Sequence, residues 1–279
     1  MKPTTKKEDE LEKLEIRLLL DGLYEYYGYD FRDYAPGTLK RRVSEGIRRE
    51  QVTSVTGLLA KVLHDSDCMR RLVSEFSITV SSMFRDPGFF MALRKEVVPM
   101  LKTFPFIRLW HAGCGNGEEV YSMAIILFEE GLYDISRIFA TDINETAIRE
   151  ARAGIFPLQK MRKFTQNYIA AGGKKDFSDY YTARYGSAIF GPMLKKNLVF
   201  SKHSLTTHEL FNEFNAIICR NVMIYFRDSL KARVHDLFYN SLVKFGFLGL
   251  GDRESIRFTP HESCYKALSR QEKIYKKVI

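Results

Sequence analysis

The sequence predicts an α/β protein: a mainly parallel sheet covered by helices on both faces, preceded by a small all-helical domain and carrying a short antiparallel β insertion. Three observations predict it. Residues 1–76 place apolar side chains at helical spacing, and nothing there reads as a strand. From residue 107 onward, short apolar runs (107–110, 138–141, 215–219 and 245–250) alternate with amphipathic helical stretches, the pattern of βαβ units. Residues 180–200 break that rhythm, being rich in aromatic and β-branched residues and carrying Gly186 and the Gly191-Pro192 pair. The expected boundaries are a helical domain at 1–76, a linker at 77–90, a sheet domain at 91–279 and, inside it, a β insertion at 177–202.

In the helical domain, residues 11–27 form a helix with Leu11, Leu14, Leu18, Leu19, Leu20 and Leu23 at helical spacing, and Gly28 ends it. Pro36-Gly37-Thr38 is a break, with Thr38 the expected N-cap of a second helix. There Leu39, Val43 and Ile47 lie four apart and share one face. At about 100° per residue, Arg41 and Arg48 point away from that face while Arg42 and Arg49 flank it. The result is an amphipathic helix with an arginine stripe outside. Helical pattern continues over 55–64 and 68–76.

The bulk composition is that of an ordinary globular chain, with 45% hydrophobic and 28% charged residues over 279 positions. No apolar run approaches the roughly 18 residues that span a bilayer, so no membrane insertion is expected. Residues 1–15 are rich in Lys and Glu without an apolar stretch, which argues against a secretion signal. Cys68, Cys114, Cys219 and Cys264 are scattered, with no C-x-x-C pair. Neither a metal site nor a disulfide framework is expected, and reduced thiols suit a cytoplasmic protein. The formal charge is +9. Part of it lies in Lys40, Arg41, Arg42, Arg48 and Arg49; more lies between residues 149 and 202, where eleven basic residues face three acidic ones. Such a field attracts acidic partners, nucleic acid among them, although solvated surface accounts for a cluster equally well.

The chemistry-bearing positions fall at the ends of the expected strands. Gly113, Gly115 and Gly117 follow the first strand and precede the helical run 120–130. Glycines there let the backbone turn tightly and approach a ligand closely. NAD, FAD and S-adenosylmethionine (SAM) folds all carry such a turn, as does a plain structural loop. The G-x-G-x-G spacing disfavours a pyrophosphate cradle, and no Gly-Lys-Ser/Thr follows. Asp142 ends the second strand, where it either accepts from both ribose hydroxyls of a nucleoside or caps the helix beginning near Asn144. The apolar strand at 215–219 runs into Arg220 and Asn221, with Tyr225 just beyond. Upstream, the hydroxyl-rich run from Thr79 to Pro87 includes Arg85, which by its residue type alone is either a surface arginine, the commoner case, or a fixed cation able to hold a carboxylate bidentately.

Together these segments closely resemble the chemotaxis receptor methyltransferases, the CheR family, which methylate glutamates on bacterial chemoreceptors. Gly28-Tyr-Asp-Phe with Leu39-Lys-Arg-Arg-Val is similar to the family's N-terminal helical domain. Ser81-Ser-Met-Phe-Arg85 resembles T-x-F-F-R, Gly117-Glu-Glu-Val-Tyr-Ser122 resembles G-E-E-P-Y-S, and Cys219-Arg-Asn-Val-Met-Ile-Tyr-Phe226 matches C-R-N-V-M-I-Y-F. The resemblance implies a Rossmann-like class I SAM-dependent methyltransferase domain with a small β-subdomain. It implies a cofactor pocket of Thr79, Ser81, Arg85, Gly113, Glu118, Asp142, Ser204, Leu205, Arg220 and Asn221, with Arg85 and Tyr225 nearest the transferred methyl and the acceptor carboxylate. S-adenosylhomocysteine would be the product, a chemoreceptor cytoplasmic domain the partner, and a monomer the working form. The chain departs from the pattern at Thr79 and Ser204, where Asn is usual, at Val120 in place of Pro, and in Gly251-Asp-Arg-Glu-Ser255 in place of G-H-S-E-S.

A glutamate acceptor has a pKa of about 4.3 and is already an ionised nucleophile near neutral pH, so no general base is required. The stripe of Arg41, Arg42, Arg48 and Arg49 is the expected docking surface for an acidic receptor segment. Two other readings fit parts of the sequence. A nucleic-acid methyltransferase would use the basic balance, but the chain lacks a catalytic motif such as N-P-P-[YF]. A non-catalytic sensor of the same fold, binding the cofactor or another nucleotide, would account for the two Asn replacements.

Overall fold

The computed structural model describes residues 6–77, 81–207 and 213–279 and divides into two compact units. The first comprises the described residues up to Ser77 together with Tyr225–Lys231. It is built from α1 (Lys6–Tyr27), α2 (Pro36–Glu50), α3 (Val55–His64) and α4 (Ser66–Phe76). Gly28, at φ 74°, ends α1 by donating its N–H to the Tyr24 carbonyl at 2.9 Å. The leucines of α1 split into two sets: Leu19, Leu20 and Leu23 are buried, whereas Leu11, Leu14 and Leu18 are exposed. The inward set faces α3, whose Leu59 side chain would lie 2.9 Å from a Cβ at Gly22.

The N-terminus of α2 differs from the expected cap at Thr38. Ala35 takes the N-cap position in extended conformation and Pro36 opens the helix. Proline supplies the helical φ and has no N–H of its own to satisfy, and no side chain caps the helix. Leu39 and Val43 are buried as the spacing requires. Glu50, at the end of α2, is 7% exposed and anchors the bundle: Arg71 grips it with two 2.7 Å hydrogen bonds and Lys61 lies at 2.8 Å. These cations hold its carboxyl well below the usual carboxylate range.

The second unit opens with α5 (Pro87–Ala92), a π-turn at Leu93–Val97 and α6 (Val98–Leu101). Residues 77–90, expected as a linker, contribute Met83, Phe84, Phe89 and Phe90 to the core instead, each essentially buried. Burying an aromatic of that size is worth roughly 1.5–3 kcal/mol, and this outweighs the polar character of the flanking serines. There follow β1 (Ile107–Ala112), α7 (Glu118–Glu129), β2 (Ser136–Asp142), α8 (Glu145–Ala153), β3 (Ile155–Pro157), α9 (Met161–Ala170), β4 (Tyr181–Arg184), β5 (Ser187–Phe190), α10 (Pro192–Lys195), β6 (Leu198–Lys202), β7 (Phe214–Cys219), α11 (Asp228–Ser241), β8 (Leu242–Leu250), β9 (Tyr265–Ser269) and β10 (Ile274–Lys277).

The main sheet has the order β6-β2-β1-β7-β8-β10-β9, parallel except where β10 runs antiparallel to β8 and β9. Its order reverses between β1 and β7, the switch point at which ligands bind in open α/β sheets. β7 is buried at every position, as a central parallel strand should be. The small sheet is antiparallel in the order β3-β5-β4, with a tight turn at Tyr185-Gly186 where both residues have positive φ. It does not coincide with the expected 177–202. Its first strand lies upstream at Ile155–Pro157, and Leu198–Lys202 pairs in parallel with β2 in the main sheet. Three-residue β3 is too short to show an alternating pattern, which hides it from the sequence. The insertion is fastened to α7 by Glu129, fully buried, which accepts from Tyr180 Oη at 2.8 Å and from Tyr168 Oη and pairs with Arg94.

Candidate active site

The glycine turn leaves β1 at the switch point. Gly113 sits at φ 73° and a Cβ there would lie 2.5 Å from Val222, so the turn from β1 and the turn from β7 touch through a missing side chain. At Gly117, φ 90°, a Cβ would meet Ala151 at 2.9 Å, which lets the start of α7 press against α8. The N–H groups of Gly113 and Cys114 donate to the Thr141 carbonyl at 2.8 and 2.9 Å, and that of Gly115 to Asp142 Oδ2 at 2.9 Å.

Asp142 is 8% exposed at the end of β2. Its other oxygen accepts from the Asn144 N–H at 2.9 Å. An ionised carboxylate has about four acceptor positions, so two remain for hydroxyl donors such as those of a ribose. The helix cap falls to Asn144 instead, whose Oδ1 accepts from Thr146 and Ala147 at 2.9 and 3.3 Å. Burial pushes the Asp142 pKa up against these backbone donors. Ser204 and Leu205 follow β6 and are half-buried; the neighbouring His203 N–H donates to the Asp142 carbonyl at 3.1 Å, which brings their turn alongside Asp142. Ser204 Oγ lies 2.7 Å from Thr206 Oγ1.

Glu118 opens α7 and is 1% exposed. Lys160 Nζ reaches Oε1 at a long 3.4 Å, while Oε2 is buried with no hydrogen-bond partner in the protein. Burial raises its pKa. A buried carboxylate oxygen without a donor costs roughly 1–3 kcal/mol or more, unless a ligand supplies the donor. The SAM residues expected here fit on that ground: an orphaned acceptor at Glu118, acceptor positions left on Asp142 and a backbone turn made close by glycine. SAM carries both hydroxyl and ammonium donors.

Arg85 lies on a kinked segment. Phe84 and Asp86, on either side of it, have φ 50° and 56°, conformations that cost on the order of 1–3 kcal/mol and are held by their surroundings. The Phe84 N–H donates to Ser122 Oγ at 2.9 Å, and its ring packs against Phe90 and Tyr168 at 5.2 and 5.3 Å. The Arg85 side chain is 40% exposed and lies 3.9 Å from Asp86. Ser81 is half-buried, and Thr79 lies outside the described residues.

Arg220 is a buried cation held by acids, with its Nε left without a hydrogen-bond partner in the protein. Its side chain is 2% exposed and its guanidinium pairs with Glu119 at 2.6 Å and Asp86 at 2.7 Å, over the face of Phe89. Asn221 adopts φ 61°, and its backbone N–H donates to Glu254 Oε2 at 3.0 Å. Glu254 was not singled out by the sequence. It is buried and accepts four backbone N–H groups, from Gly251, Asn221, Val222 and Met223 at 2.7–3.0 Å, so one carboxylate clamps the turns after β7 and β8. Its only sequence signal is an acid inside the Gly251–Ser255 run at a strand end. Tyr225 belongs to the helical unit, where its carbonyl accepts from the Ala35 N–H at 2.8 Å. Arg85 and Tyr225 therefore lie in different units.

Comparison with known proteins fits this geometry. The SAM-binding domain of CheR methyltransferases matches residues 79–273, and the family's all-alpha domain matches residues 14–77. A Pseudomonas putida protein named as a methyltransferase, Cher3, is 46% identical over 264 residues, covering 95% of this chain and 97% of that one. A chemotaxis protein methyltransferase of Listeria monocytogenes is 27% identical, covering 82% of this chain and 85% of its own length, and one of Borreliella burgdorferi is 26% identical over 88% and 90%. The chain belongs to the CheR methyltransferases and joins the family's all-alpha domain to its Rossmann-like SAM-binding domain.

Proposed function

We propose that the protein transfers the methyl group of SAM to glutamate side chains in the cytoplasmic domain of chemoreceptors, giving glutamate methyl esters and S-adenosylhomocysteine. The observation that carries the reading is the buried, unpartnered oxygen of Glu118 beside Asp142 and the glycine turn, in a chain of the CheR family. When bound, SAM supplies a methyl group on a cationic sulfur that departs as a neutral thioether. Everything else asked of the protein is binding and orientation.

Glu118 and Asp142 are the proposed holders of the cofactor's donors, with Gly113, Ser81, Ser204, Leu205 and Asn221 as further walls. Thr79 remains part of this proposal on the family pattern alone. The acceptor carboxylate is ionised near neutral pH, so its oxygen attacks the methyl carbon directly, the carbon–sulfur bond breaks, and no proton has to move. Arg85 is the proposed orienting cation, since its guanidinium can hold one carboxylate oxygen while the other attacks. Tyr225 is proposed as the second contact to the acceptor. Arg41, Arg42, Arg48 and Arg49 are proposed to receive the acidic receptor segment. No helix among the described residues is long and apolar enough to cross a membrane, which suits an enzyme acting on the cytoplasmic side.

The test offers tritiated SAM with purified receptor cytoplasmic domain and, in parallel, with total RNA. Label on the receptor, released as volatile methanol by mild base, is the expected result. Label on RNA, or cofactor binding with no transfer, would replace the proposal by one of its rivals.

A further inference from the structure

We propose that Asp86 is a positioning residue for the reaction: it sets the orienting arginine, Arg85, through a carboxylate shared with Arg220. The inference rests on the reading of Arg85 as the residue that orients the acceptor.

Asp86 stands at the N-cap position of α5 but makes no side-chain cap bond. An aspartate in that place ordinarily accepts from the helix's own N–H groups. Here its Oδ2 instead receives Arg220 Nη2 at 2.7 Å and lies 3.9 Å from Arg85 Nε. The carboxylate thus joins the two arginines rather than the helix. Arg220 also donates from Nη1 to the Arg85 carbonyl at 3.2 Å, so it holds both the backbone of Arg85 and the side chain of the next residue.

Arg220 is itself fixed. Nη1 meets Glu119 Oε2 at 2.6 Å, and the guanidinium carbon stands 4.2 Å from the Phe89 ring centre. Glu119 lies in the first turn of α7, and its other oxygen is 3.7 Å from His111 Nδ1 on β1. Burial works against the charge of Glu119, but Arg220 and His111 outweigh it and hold its carboxyl below the usual range. Two rigid elements, β1 and α7, therefore set Arg220, and Arg220 sets residues 85 and 86.

The backbone explains why such a clamp is needed. Two left-handed residues other than glycine, Phe84 and Asp86, bracket Arg85, and either would relax if released, rotating the Arg85 side chain with it. On the Phe84 side, Ser122 and the aromatic core resist that relaxation. On the Asp86 side, the ion pair to Arg220 is the side-chain restraint. Asp86 is about half exposed, so its pairing adds little to global stability, and its removal should act on geometry rather than on folding.

The test is a double-mutant cycle in methyl transfer to receptor cytoplasmic domain, with SAM affinity measured separately by calorimetry. Asp86→Asn removes the charge while keeping a side chain that tolerates the left-handed region. Alone it should lower kcat by about tenfold or more and leave SAM affinity within about twofold. Arg85→Ala should lower kcat further. In the Arg85→Ala background, Asp86→Asn should add less than about twofold, because a residue acting through Arg85 has nothing left to position. Glu119→Gln should give the same pattern from the other end of the chain of contacts. Turnover unaffected by Asp86→Asn, or losses that multiply in the double variant, would overturn the proposal. Unimpaired Arg85→Ala would remove the reading beneath it, whereas impaired Arg85→Ala beside unimpaired Asp86→Asn would remove only the positioning role.

Discussion

Glu118 and Asp142 are both buried carboxylates at the edge of the switch point, yet their oxygens are served differently. Asp142 receives two backbone N–H groups and is satisfied in the free protein, whereas Glu118 keeps Oε2 without a donor. On the proposed reading, the free protein bears the cost of that oxygen and bound SAM relieves it. Glu118→Gln should therefore leave the free protein as stable or raise its Tm by about 2–4 °C, while weakening SAM binding by about tenfold or more. Thermal denaturation with and without SAM measures both. A variant with lower Tm and unchanged affinity would make Glu118 a structural acid. At this scale the sequence discloses residues whose role is local. Gly113 and Asp142 could be placed because a strand end and a turn are read from neighbours along the chain. Arg220 could not, since its partners Glu119 and Asp86 lie more than a hundred residues away, and an ion pair leaves no periodic trace. Glu254 escapes for a different reason: its four N–H donors are backbone groups, which every residue type but proline supplies.

Among the elements, α2 shows how far periodicity reaches. At about 100° per residue Arg41 and Arg48 point outward and Arg42 and Arg49 flank the apolar face; Arg41, Arg48 and Arg49 are exposed and Arg42 is half-buried, but both flanking residues are taken by acids, Arg42 by Glu45 at 2.7 Å and Arg49 by Glu75 at 2.6 Å. The outward pair is therefore the one available to an acidic partner. Reversing both (Arg41→Glu with Arg48→Glu) should lower kcat/KM for receptor domain by about tenfold at low salt, with the difference shrinking as salt rises. Cofactor affinity should not change. Receptor methylation untouched at low salt would move the docking surface elsewhere. Strands were legible where they are long and buried, as in β1, β2, β7 and β8. Short β3 carries too few residues for a pattern, and β6 reads with the insertion because its aromatic and β-branched residues continue those of 180–197. Only pairing with β2 decides it.

For the whole molecule, the division into a helical unit and a sheet unit follows from composition and spacing alone, because periods of 3.6 and of alternating strand and helix do not mix. The boundary itself was misread. Serines at 81 and 82 suggest a loop, but Met83 and Phe84 behind them are buried, and a hydroxyl-rich run can be the surface of a core segment. The assignment of Tyr225–Lys231 to the helical unit is also invisible in sequence, since it depends on contacts with residues near 34. The central claim is that a carboxylate oxygen on a receptor is the methyl acceptor. The most direct measurement is mass-spectrometric mapping of receptor cytoplasmic domain after incubation with the protein and SAM, before and after mild base. The account predicts one added methyl on glutamate side chains, lost in base. A methyl group on any other side chain, or one that survives base, would contradict it.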